Sequence, residues 1–143
     1  MSKEENKALA RRFVEGFWNE KNASTADELM VSGAEIHMPT GETLDLDGLK
    51  DFTATFGEAF PGWHSTFEEL IAEGDRVAER WTGRGTHLGE LWGIPPTGKR
   101  IEVPGSVFYR IAGGKIVEFR AQFDMMGLMQ QLGAIPSPQQ AEA

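Results

Sequence analysis

Residues 93–111 read GIPPTGKRIEVPGSVFYRI, and the fold of the chain depends on how they are taken. Gly93, Gly98 and Lys99 stand at the spacing of a phosphate-binding loop, G-x-x-x-x-G-K-[ST], which would open a helix. Such a loop cradles phosphate with successive backbone N–H groups and places a hydroxyl on Mg²⁺. Arg100 stands where that hydroxyl should be, and Pro95 and Pro96 carry no N–H to offer. The residues after Arg100 are rich in Ile, Val, Phe and Tyr and suit a strand. The nucleotide reading fails on all three counts. The stretch is a proline-stiffened loop that delivers the chain into a strand, with Gly98 permitting the turn.

Working outward, residues 63–72, 76–87, 100–111 and 115–123 read as four strands, separated by EGD, the long loop and AGG. Connections this short join antiparallel neighbours. Before them the period is helical. Ser2 and Glu5 have capping-box spacing, and Leu9, Phe13 and Phe17 predict a helix over 3–19. A short helix from Ser24 or Thr25 to Ser32, closed by Gly33, and a strand over 34–38 come next. Asp45 or Asp47 caps a third helix, where Leu49, Phe52, Phe56 and Phe60 keep period up to Pro61-Gly62. A last helix over 124–132 ends at Gly133, leaving 134–143 as a flexible tail. Helices first and a strand meander afterwards predict one α+β domain over 1–143, with helices on one face of a curved antiparallel sheet.

Acidic residues outnumber basic ones 22 to 14, giving a net charge of −8, which repels nucleic acid and anionic membranes. The absence of cysteine excludes disulfides, thiolate metal sites and cysteine nucleophiles. No apolar run approaches the ~20 residues of a membrane span, and the start, MSKEENKALARRF, has no signal-peptide core. A cytoplasmic protein is expected.

Three stretches carry a resemblance: FWNEKN from residue 17, AFPGWHSTFEELIAEGDRVAERWTGRGTHLGELWGIPPTGKRIEV from 59, and GGKIVEFRAQFDMMGLMQQLG from 113. Together they resemble the SnoaL-like polyketide cyclases of the nuclear-transport-factor-two-like superfamily, from about residue 9 to Gly133. The resemblance implies a cone-shaped sheet with the N-terminal helices over its concave face and a short C-terminal helix. It also implies a homodimer through the outer sheet face and a small hydrophobic carbonyl or polyketide-like ligand, with no cofactor. The superfamily hosts cyclases, isomerases, epoxide hydrolases and inert binding domains, so fold alone does not decide activity.

In the last strand, period two puts Glu118, Arg120, Gln122 and Asp124 on one face and Val117, Phe119, Ala121 and Phe123 on the other. Alternation alone reads the polar set as solvated. The resemblance reads it as a pocket wall and implies Asp124 as the general acid/base of an intramolecular aldol cyclisation. Arg120 stands where the family commonly has tryptophan; it either serves the pocket or pairs with Glu118. His37, in AEIHMP, is a candidate for orienting a substrate oxygen, while His87, in GTHLG, is assigned to holding its loop. Phe17, Phe56, Trp63 and Trp81 are candidate apolar walls with a core role as the alternative, and Gln122 is a candidate polar contact. The three histidines lack metal-ligand spacing, and no metal is expected. Two other readings stand: water addition to an epoxide, for which Tyr109 is the only tyrosine, and a non-catalytic ligand-binding domain.

Overall fold

The computed structural model describes residues 2–136. Ser2 and Glu5 form the expected capping box and start α1, Lys3–Phe13. The helix continues to residue 19, but Val14–Asn19 is wound as a π-helix, with Glu20 N–H bonded to the Glu15 carbonyl at 2.9 Å. At Gly16 in this wide turn, a methyl group would collide with the Thr25 side chain of the next helix. The segment then grips the sheet: the Asn19 amide donates to the Ser65 carbonyl at 3.0 Å and accepts from the Ser65 N–H at 2.7 Å.

The second helix, α2, is shorter than expected, Ser24–Leu29, and β1 already begins at Met30 and runs to His37. Gly33 therefore closes no helix. It lies inside β1, where pairing with the last strand shifts register between Met30 and Glu35. The two-residue strand β2, Thr43–Leu44, is too short to leave a periodic signal. Asp45 caps α3, Leu46–Ala59, by accepting from Gly48 N–H at 2.8 Å. Four long strands come after it: β3 (His64–Glu73), β4 (Arg76–Thr86), β5 (Arg100–Ala112) and β6 (Lys115–Phe123). Asp124 caps α4, Met125–Leu132, and Gly133 ends it in the left-handed conformation at φ 78°. Of the expected tail, residues 137–143 fall outside the described residues.

The sheet is one open, curved layer in the order β2-β1-β6-β5-β4-β3. The four-strand meander is antiparallel as expected, while β1 joins β6 in parallel. Between β4 and β5 the loop is stiff. His87 and Lys99 pair across its base, and Trp92-Gly93 make a tight turn with both residues at positive φ. The His87 ring, fully buried, bonds Thr97 inside the loop, Thr97 N–H reaching Nδ1 at 3.2 Å. This matches its assigned structural role.

Two hydrophobic cores result. Phe13, Phe17, Leu29, Ile36, Tyr109 and Phe119 centre one of them. The other gathers Phe56, Phe60, Trp63, Leu91, Ile101 and Leu128. Trp18, Phe52 and Trp81, each half-buried, pack against both.

Candidate active site

A cavity of about 40 Å³ lies at the junction of the two cores and opens between the half-buried side chains of Trp18, Pro39, Phe52, Trp81 and Phe123. Its concave wall comes from alternate residues of the meander. Adjacent rows across β4, β5 and β6 are Val77–Tyr109–Phe119, Glu79–Val107–Ala121 and Trp81–Gly105–Phe123. The helices close the other side with Val14, Trp18, Phe52 and Phe56. Aromatic contacts are close throughout, Phe56 to Trp63 at 4.9 Å and Trp63 to Trp81 at 6.1 Å between ring centroids.

Glycines in the strands make room for these rings. A methyl group on Gly105 would overlap the Trp81 indole, and one on Gly83 would overlap Trp63. Gly89 similarly admits the backbone carbonyl of Glu58. The glycines of GRGTHLG thus receive rings and backbone closely, as their strand setting implies.

The expected site residues divide. Trp81, Phe56 and Trp63 line the cavity. Phe17 lies in the first core, stacked on Phe13 at 5.1 Å, and is no part of the wall. Arg120 and Gln122 are corrected: Phe119, Ala121 and Phe123 take the cavity side of β6, so the polar set faces outward. The aromatic helix faces cover the concave side, where an unpaired charge is costly to bury. Arg120 instead donates to Glu118 at 2.6 Å, with Arg110 on the other carboxylate oxygen. Arg120 above all holds the Glu118 carboxyl below its usual range. His37 pairs opposite Arg120 on this outer side, bonded to Thr43 at 3.3 Å and 3.6 Å from Glu35.

Asp124 is exposed and does not line the cavity; its Oδ1 accepts the Gly127 N–H at 2.8 Å as the cap of α4. In sequence it directly follows Phe123, whose ring is in the wall.

A residue with no role assigned from the sequence occupies the interior. Glu79, 3% exposed, lines the cavity and accepts the Tyr109 hydroxyl at 2.8 Å. Burial pushes its carboxyl up to about 7, against the opposing pull of the Tyr109 hydrogen bond. Burial, reinforced by Glu79, pushes the Tyr109 phenol well up too. Among the described residues these are the only titratable side chains in the wall. Ser65, the remaining hydroxyl, accepts the Trp63 indole N–H at 3.0 Å. No three His, Asp or Glu side chains among the described residues gather as a metal site.

A model of the SnoaL-like polyketide cyclase family matches residues 8–132. Aklanonic acid methyl ester cyclase DnrD from Streptomyces peucetius is 32% identical over 133 residues, covering 87% of this chain and 88% of that protein. AclR, a candidate hydroxylase from Streptomyces galilaeus, superposes with a TM-score of 0.87 at 29% identity, over 95% of this chain and 85% of its own. IdmH, a candidate polyketide cyclase from Streptomyces antibioticus, does so with 0.81 at 29% identity, over 90% and 98%.

Proposed function

Since the chain belongs to the SnoaL-like polyketide cyclase family, we propose that it is a cofactor-independent acid/base enzyme for a hydrophobic carbonyl substrate of polyketide type. The observation that carries this reading is the aromatic cavity, whose rings suit a flat apolar body. In the proposed reaction a carbon between two carbonyls loses its proton and the enolate attacks a second carbonyl of the same molecule. The proton then passes to the new alkoxide. Such acid/base help is typically worth ~10²–10⁴-fold in rate.

Asp124 is the proposed acid/base, supported by the family resemblance. For Asp124 to reach it, the reacting carbon would be the part of the ligand that extends past Phe123. Partnership is proposed as a homodimer through the outer sheet face, where Ile71 and Phe108 are each more than half exposed. No helix among the described residues is long and apolar enough to cross a membrane.

The test is deuterium exchange at the α-carbon of bulky 1,3-dicarbonyl compounds, monitored by NMR. Asn caps a helix as well as Asp, so Asp124→Asn keeps the fold. Accelerated exchange in wild type that drops at least a hundredfold in the variant is the expected result. Equal exchange in the two proteins would remove Asp124 from the mechanism.

Water addition to an epoxide is the second reading, favoured by a carboxylate and a tyrosine that share the cavity. Neither Asn6 nor Asn19 joins them: Asn6 donates to the Gly74 carbonyl and Asn19 is engaged by Ser65. That reading therefore ranks below the first.

A further inference from the structure

We propose that Glu79 is a specificity anchor on the cavity floor, binding a phenolic or enolic hydroxyl at the inner end of an otherwise apolar ligand. The proposal rests on the reading of the cavity as a ligand site and names what the ligand must carry. Around Glu79 the wall is apolar: Leu70 pairs with it from β3 and Val107 from β5, with Ala121 behind, and Val14 and Trp18 of the helix complete the lining. Tyr109 is the one titratable group facing it, and no charged group among the described residues joins it in the wall.

Tyr109 engages Oε1 alone. The second oxygen, Oε2, has no hydrogen bond among the described residues. Oε2 is not among the buried unpaired polar atoms, so it stays accessible to the cavity and open to a hydrogen bond from a ligand oxygen. The two forms of the acid decide the chemistry of the ligand group. With its carboxyl near pH 7, Glu79 presents both an acceptor and a donor at neutrality. A hydroxyl matches either form, donating to the carboxylate or accepting from the acid. A carbonyl matches only the protonated form, and a methyl group neither.

Equilibrium dialysis at pH 7 with 2-naphthol and 2-methylnaphthalene, which differ by hydroxyl against methyl, tests the anchor. Wild type is expected to prefer 2-naphthol by about tenfold or more, the scale of one hydrogen bond to a partly charged group. Glu79→Leu, or Glu79→Met if the first variant does not fold, should bring the ratio to near one without weakening 2-methylnaphthalene. Glu79→Gln, which keeps a polar head, should retain part of the preference. A wild-type protein that binds both probes equally, or an undiminished ratio in the apolar variant, overturns the anchor and leaves the cavity reading standing. If wild type binds neither probe, the cavity reading falls and the anchor with it.

Discussion

Glu79 titrates near pH 7 in the folded chain and near 4.5 when unfolded, because burial penalises its charged form. Between those values the folded chain holds a proton that the unfolded chain has already released. Stability from this residue is therefore complete below about pH 4.5 and is lost as pH rises through about 7. The loss is on the order of 3 kcal/mol. Urea unfolding of wild type and Glu79→Gln across pH 4.5–8 should show the wild type losing ground against the variant as pH rises. Parallel profiles would mean that the carboxyl is solvated. The signal for this residue was present in the chain: Val77, Glu79 and Trp81 alternate onto one face, an acid among apolar neighbours. The arginines at 76, 80 and 84 surround it and make the segment read as an ordinary charged strand. Asp124 is marked by the resemblance alone, while the alternation in β6 already read its polar face as solvated, which is how Arg120 and Gln122 stand.

At the level of elements, long strands and capped helices were readable to within a residue or two, since Asp45, Gly74, Gly113 and Gly133 punctuate them chemically. The π-wound turn, the early start of β1 and its parallel pairing with β6 were not readable. Each depends on contacts distant in sequence, Thr25 against Gly16 and Glu35 beside Glu118 among them. Two glycines separate the kinds of role a strand glycine plays. At Gly105 the Trp81 indole lies over the backbone, so Gly105→Ala must displace a wall of the cavity. Its expected cost is about 1–3 kcal/mol, with weakened 2-naphthol binding. Gly33 meets nothing within 4 Å. Gly33→Ala should therefore lie within about 1 kcal/mol of wild type. Thermal unfolding of the pair checks both, and equal losses would show that ring seating has no part in the effect.

Across the whole molecule, α1, α2 and the sheet build most of one core while α3, α4, the β4–β5 loop and the start of β5 build most of another, and the cavity is their seam. A seam of about 40 Å³ has room for roughly three waters. A fused ring system is far larger, so for a ligand of that size this arrangement is a closed one. Trp18 and Phe52 belong to both cores, and Trp92, at φ 48°, lies 6.2 Å from Phe52. Opening the seam means parting these rings. Entry is then gated by the chain's own motion and ceases to scale with encounter frequency. In stopped-flow mixing, the observed binding rate should level off as 2-naphthol concentration rises, at the frequency with which the gate opens. A rate that climbs linearly throughout would mean that the closed state is never the one a ligand meets. With a plateau, selectivity acquires a temporal side: ligands that differ in size but share the hydroxyl would arrive at one common limiting rate and be told apart only by how long they stay.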